Sequence, residues 1–467
     1  MSESARDEAG SWREVLTGPL APRFALILLG VWLNAADTLV AVTVMPSVGR
    51  DLGGFAYFSW ATAGYVMGAL LAGATAGQLA TRLGLRLAMC GAGGVYAVGC
   101  ALSAASPDMF AFLAGRLVQG LGAGWLMGFC YAAIGSLFPA RLLARVFGAL
   151  TTVWGVATLL GPMVGGLFAE AGFWRGAFWS FGGQALVFIL IAALLLKNDA
   201  PRPERRPLAW GQLALIAGGV VCIGVADMTG GVAATFAMIA LGLGLLIVAI
   251  RLGRTAVGGL FPRSASDIRH PVGAGYLAFV AQCACSIAFY IYAPATLQAV
   301  HGLGPLAAGY LTALGSLSWS IVGLGVAGLR DRWHGPAIRA GGLMILAAVA
   351  LFVWVVPHGP VAAIAAAAML MGSGFGISYA FINRRIIAAA PDDDRALASA
   401  GVPSARLLGN AAGAGLAGAV ANMMGMRHGL SAESALVASP WIFAAVVPLA
   451  VVGAWASWRV GSPRLEG

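Results

Sequence analysis

One acid, Asp37, stands near the middle of the apolar run Phe24–Met45, and one base, Arg116, stands inside a later apolar run at 109–134. Both runs have the length of a bilayer-crossing helix, since about 20 residues at 1.5 Å each cover the hydrocarbon core. An ionisable group at that depth costs roughly 2.5–3.5 kcal/mol on insertion scales, so it is rarely kept without a purpose. Counting along helices that run in opposite directions puts both residues about 20 Å from the same membrane edge. Opposite charges at equal depth lower the burial cost of each. Loss of water favours a neutral Asp37 while Arg116 favours the charged form, so the pair can trade a proton as a cavity wets and dries. The same two residues also read as a static ion pair.

Other polar residues inside apolar runs are candidates for a substrate cavity: Gln119, Trp154, Gln282, Tyr290 and Asn410. Each can equally serve as a hydrogen bond between helices or, for the tryptophan, as an interfacial anchor. Arg406 reads as a base that snorkels toward the membrane surface. The six cysteines, at 90, 100, 130, 222, 283 and 285, all fall in apolar runs and read as small core residues. Asp392-Asp393-Asp394 has no His or Glu partner nearby and is followed by Arg395, which fits a solvated loop. Neither a metal site nor a cofactor is expected. The chain has no Gly-x-x-x-x-Gly-Lys-Ser/Thr loop for nucleotide phosphates, so ATP is not the expected energy source. These absences speak against a polytopic membrane enzyme.

The elements that must position these residues are membrane helices. The chain has 467 residues, of which 60% are hydrophobic and 10% charged, and its mean hydropathy is +0.86. Soluble chains carry about 25% charged residues. A window of about 19 residues finds runs at 24–46, 58–80, 86–105, 109–134, 145–168 and 176–196. Two more follow at 210–228 and 234–251, then six at 272–299, 306–328, 338–356, 361–383, 398–424 and 439–458. The expected fold is all-α and polytopic: two six-helix bundles with two extra helices between them, fourteen in all.

The net charge of +10 does not point to nucleic acid, because the bases recur between apolar runs rather than on one face or tail. With the N-terminus inside, every Lys and Arg falls on the cytoplasmic side except Arg50, Arg175 and Arg427, and Arg116 and Arg406 within helices. That is the positive-inside pattern, with contact to anionic lipid headgroups as its by-product. It fits both termini inside and an even number of helices, and does not separate twelve from fourteen. The expected division is a cytoplasmic tail 1–23, a first bundle 24–196, basic loops and linker helices 197–270, a second bundle 271–459 and a tail 460–467.

Local motifs add a family resemblance. Gly77-Gln78-Leu79-Ala80-Thr81-Arg82-Leu83-Gly84, Arg116-Leu117-Val118-Gln119-Gly120-Leu121-Gly122 and Gly161-Pro162-Met163-Val164-Gly165-Gly166 resemble the loop, fourth-helix and fifth-helix motifs of the major facilitator superfamily. Asp37 through Met45-Pro46, and Leu297-Gln298-Ala299-Val300-His301-Gly302 with Pro305 and Gly309, resemble the fourteen-helix drug:proton antiporter branch. Two departures stand out: Thr81 replaces the usual loop aspartate, whereas Asp331 keeps it in the second half, and Leu39 and Val42 replace the usual Thr and Asn.

The resemblance implies a proton-coupled exporter of amphipathic small molecules that works by alternating access in the bacterial inner membrane. Asp37 and Arg116 are then the coupling pair. Arg82, Gly84, Arg86 and Asp331 belong to a gate, and Gly161, Pro162 and Gly165 to a hinge that interrupts the fifth helix. The expected partners are a small-molecule substrate, protons and membrane lipids, with no nucleic acid and a monomeric chain. A transporter for a single metabolite or an anionic, lipid-like substrate is the alternative, with Arg116 as an anion contact.

Overall fold

A computed structural model describes residues 12–197, 210–226, 232–252, 262–391 and 394–462. Asp227, Asp392, Asp393 and most of the basic break after Lys197 lie outside the described residues. After a short turn at Trp12–Leu16 the chain forms α1 (Leu20–Leu52), α2 (Trp60–Leu83), α3 (Leu85–Ala104), α4 (Met109–Leu137), α5 (Ala140–Glu170) and α6 (Trp174–Leu195). Next come α7 (Trp210–Gly224) and α8 (Val232–Leu252). The chain then forms α9 (Pro271–Ala299), α10 (Pro305–Val326), α11 (His334–His358), α12 (Val361–Ala389), α13 (Arg395–Met423) and α14 (Ala432–Val460). No strand occurs among the described residues.

Twelve of these helices are long and apolar enough to cross a membrane. The two that fall short do so for different reasons. α7 is too short, at 15 residues. α13 is long, but it carries Arg395, Ser399, Arg406, Asn410 and Asn422. Several helices run past the apolar stretch that marks them in the sequence, because Arg and Ser at their ends extend the helix beyond the hydrocarbon. α5 starts at Ala140 and α14 at Ala432 for this reason. The latter is held by a capping box between Ser431 and Ser434.

The packing of α1–α6 repeats in α9–α14. In the first group α1 packs on α5 and α6, α4 on α2 and α3, and α3 on α6. In the second, α9 packs on α13 and α14, α12 on α10 and α11, and α11 on α14. The two groups meet through α5 against α10 and α2 against α13, which are equivalent pairs under the repeat. α7 packs on α8, α13 and α2, along one of these two seams.

The helix bundle has a basic end, carrying Arg82, Arg86, Arg330 and Arg384, and a far end, carrying Asp51, Glu170, Arg175 and Gln298. The contacts between the two groups gather at the far end. There Asn422 Nδ2 donates to the Ala56 carbonyl at 2.6 Å and Arg50 Nη2 to Gln298 Oε1 at 3.5 Å. The Leu306 amide donates to Glu170 at 3.4 Å, and the rings of Phe58 and Tyr292 lie 5.8 Å apart. Toward the basic end, Tyr131 and Phe147 of the first group are 46% and 42% exposed.

α5 runs unbroken through Pro162, so the expected interruption at Gly161-Pro162 does not occur. The Thr158 hydroxyl donates to the Trp154 carbonyl at 2.9 Å in the turn before the proline. Close neighbours pack around this turn. Gly161 sits against Leu39, Gly165 against Val40 and Thr43, and Pro162 against Gly309 of α10. The motif forms a small-residue seam joining α1, α5 and α10.

Candidate functional site

Asp37 lies in the middle of α1, and Arg116 and Gln119 lie one turn apart on one face of α4. The start of α4 is fixed by Asp108, whose side chain accepts from the Ala111 amide at 2.8 Å. Two glycines let the neighbouring helices close in. A Cβ on Gly120 would lie 2.1 Å from the Tyr65 carbonyl of α2, and one on Gly99 of α3 would lie 2.3 Å from the Gln119 nitrogen. Any larger residue would push the helices apart at these points.

The result is a closed polar cluster. Arg116 Nη1 donates to both Asp37 oxygens, at 3.2 and 3.3 Å, and to Gln119 Oε1 at 2.7 Å. Gln119 Nε2 donates to Asp37 Oδ1 at 2.9 Å and contacts Cys100 Sγ at 3.1 Å. Arg116 Nε points to the Ala61 carbonyl at 3.4 Å, and the guanidinium lies 4.4 Å from the centre of the Tyr65 ring. Tyr65 in turn receives a hydrogen bond from Asn34 at 3.3 Å. Asp37 and Gln119 are 0% exposed and Arg116 is 2% exposed.

The acid and base cancel, so the cluster is electrically neutral until the carboxylate takes a proton. Removing either partner leaves a buried charge alone, which costs on the order of 3–5 kcal/mol. The pair is nearer the far end than a depth of 20 Å from the basic edge implies, because Arg116 is two turns into α4 and bonds the second residue of α2.

The other cavity candidates scatter. Gln119 is buried between α1, α3 and α4, where its amide bonds Asp37 and Arg116. Gln282 is buried in the α9–α14 contact and donates to Ser457 Oγ at 2.8 Å. Trp154 is 39% exposed. Tyr290 and Asn410 are partly exposed. Asn410 stands one turn from Arg406 on α13.

Arg82 is exposed and Arg86 half-buried, on either side of Gly84, whose φ of +76° makes the one-residue turn from α2 to α3. Asp331 is 82% exposed at its side chain; it pairs with Arg384 at 3.2 Å and lies 3.6 Å from His334.

A second base inside the helices, the part-buried Arg406, has a setting that sequence reasoning missed. Arg406 does not reach for the membrane surface. Its guanidinium lies 5.1 Å from the Trp319 ring of α10 and 5.2 Å from the Tyr379 ring of α12. Gly376 allows this, since a Cβ there would lie 2.6 Å from the Trp319 carbonyl. Tyr131 of α4, stacked on Phe147 at 5.9 Å, is within electrostatic reach of Arg406 across the gap between the two groups. The i, i+4 spacing of Arg406 and Asn410 marks that face of α13 in the sequence, but the rings come from other helices.

With this geometry in view, comparisons with known proteins place the chain. The Major Facilitator Superfamily profile matches residues 27–414. A protein of Mycobacterium tuberculosis (strain H37Rv), named as a probable multidrug-efflux transporter, is 29% identical over 98% of each chain. A dehydrocurvularin exporter of Alternaria cinerariae is 26% identical over 80% of this chain and 69% of its own. Among solved structures, the peptide transporter POT in complex with sulfate matches with a TM-score of 0.67 at 15% identity, covering 100% of this chain and 99% of its own. A D-xylose–proton symporter matches at 0.63 and 17% identity, covering 94% and 98%. At these identities the structural likeness is one of fold. The protein is an integral membrane transporter and not an enzyme, and the chain belongs to the major facilitator superfamily.

Proposed function

We propose that the protein is a proton-coupled exporter of amphipathic small molecules that works by alternating access, with Asp37 as the proton carrier. The observation that carries this reading is the closed cluster of Asp37, Arg116 and Gln119, an acid and a base buried together beneath the far end. The relatives named as efflux transporters and exporters support the direction of transport. In this reading the bundles 24–196 and 271–459 are the two rocking bodies, and all fourteen helices cross a bacterial inner membrane. Both termini are cytoplasmic, so the basic end faces the cytoplasm. The sealed far end then corresponds to an inward-facing state.

The cycle follows from the cluster's charge. In the sealed state Arg116 and Gln119 hold Asp37 as the carboxylate. Opening of the far end admits water, and a proton from that side neutralises Asp37 and weakens its bonds to both partners. Arg116 is then left without its counter-charge, which favours return to a state where the proton leaves and the pair reforms. Gly161, Pro162 and Gly165 act as the sliding seam, and Arg82, Gly84, Arg86 and Asp331 edge the cytoplasmic gate. The transporter works as a monomer among lipids whose headgroups meet the basic end.

The test is transport in proteoliposomes with an imposed pH gradient, screened over amphipathic compounds. Asp37→Asn is expected to exchange substrate across the membrane but not to drive it uphill. Uphill transport by that variant at the wild-type rate removes Asp37 from coupling. The helix count is checked by labelling a cysteine introduced at position 230, between α7 and α8. Reaction only from the cytoplasmic side contradicts fourteen helices.

A further inference from the structure

Among the described residues Arg406 has no acid within ion-pair distance, in contrast to Arg116. Its Nε is buried and without a hydrogen-bond partner. A cation largely shielded from water costs free energy unless a counter-charge arrives from elsewhere. Arg406 stands three turns into α13. It is held under the rings of Trp319 and Tyr379. The two rings lie 5.5 Å from each other, so both stand on one flank of the guanidinium, and a thiol, Cys283, and the Tyr379 phenol are within its hydrogen-bonding reach; neither is a carboxylate. Arg406 as a whole is part-buried, so some of its side chain stays accessible although Nε is not.

The surroundings match a ligand with an aromatic body. Tyr131 and Phe147 form a stacked, exposed wall on the opposite group of helices, and Asn410 offers an amide one turn along α13. Resting on the transport reading above, we propose that Arg406 is the anion-binding residue of the substrate site, and that the transported compounds include aryl carboxylates. The carboxylate takes the two-pronged edge of the guanidinium, and the aryl group stacks between the Tyr131–Phe147 wall and the Trp319–Tyr379 wall. The substrate then supplies the counter-charge that the second bundle lacks. Arg116 cannot play this part, since Asp37 already occupies its edge.

The experiment uses the full-length purified protein in detergent and needs no gradient. Matched panels of naphthoates and phenylacetates, their neutral amides and the corresponding arylmethylammonium ions are titrated while thermal unfolding is followed. Wild type is expected to be stabilised by carboxylates in preference to amides and ammonium ions. Arg406→Gln should lose about tenfold or more in carboxylate affinity, the range of a charged hydrogen bond, with amide binding unchanged. Arg406→Lys should keep the preference at reduced strength, and it serves as the reporter if the glutamine variant does not fold. Stabilisation of wild type by none of the carboxylates overturns the inference, as does equal carboxylate affinity in wild type and Arg406→Gln. Carboxylate binding with no pH-driven uptake sinks the coupling reading and leaves the anion site standing. Gradient-driven uptake that is indifferent to Arg406 does the reverse.

Discussion

The two bundles share one packing plan and differ in how each treats its buried arginine. In the first, Arg116 is surrounded by hydrogen-bond acceptors: both Asp37 oxygens, Gln119 Oε1 and the Ala61 carbonyl. In the second, Arg406 is surrounded by rings and its Nε is left unbonded. A base that is saturated with partners is a fixed element, whose only freedom is to gain or lose a proton at its acid. A base with an unfilled donor and no acid beside it suits a ligand that comes and goes. On the readings proposed above, the repeat separates two tasks that a transporter must couple, one charge exchange in each half.

The largest expected effect tests this contrast through stability. Arg116→Ala should lower the thermal unfolding midpoint strongly, because it leaves the Asp37 carboxylate buried alone at a cost of about 3–5 kcal/mol. Asp37→Asn added to that variant should recover part of the loss, since no charge is then stranded. Arg406→Gln should leave the midpoint unchanged or raise it, because it removes an uncompensated charge. Equal losses for Arg116→Ala and Arg406→Gln, measured by unfolding in detergent, would erase the difference between the halves.

The next effect concerns the seam between them. A Cβ on Gly166 of α5 would lie 2.6 Å from the Leu306 Cα of α10, on backbone that cannot step aside. Gly166→Val should therefore force the far end apart, with overpacking worth about 1–3 kcal/mol shifting the population toward the far-open state. Ser59, 2% exposed at that end, reports the change. In a Ser59→Cys background the valine should speed labelling by a membrane-impermeant maleimide severalfold. Unchanged labelling means that the seam is not where the halves part.

How much of this was legible in the sequence differs by residue. Asp37 and Arg116 were legible because a charge in an apolar run is conspicuous at any register. The helices were legible for the same reason, though not their ends, since polar residues carry α5 and α14 past the hydrocarbon. The placement of Gln119 and Gln282 was not legible. Both are polar residues on apolar helices, and which way they face depends on how close the neighbouring helices come. That approach is set by glycines whose partners lie 20 residues or more away, such as Gly99 against Gln119 and Gly120 against Tyr65. Arg406 needed more still, because its setting takes one ring from α10, one from α12 and a wall from the other bundle. Pro162 misled because a lone proline reads as a break, whereas α5 continues through it with α1 and α10 packed close by.

The smallest effect lies at the basic end, where the second half keeps the loop acid that the first half replaces with Thr81. Asp331 meets Arg384 at 3.2 Å, but its side chain is 82% exposed and that of Arg384 65% exposed. Water screens such a pair, which is worth about 0–1 kcal/mol. Asp331→Asn should therefore move the unfolding midpoint by less than about 2 °C, and initial uptake rates should stay within about twofold, since 0.4 kcal/mol is roughly a factor of two. A much larger fall in uptake at an unchanged midpoint would mean that the pair forms in one transport state and breaks in the other. The second half would then own a latch that the first half lacks, and the asymmetry seen at the two arginines would extend to the gate.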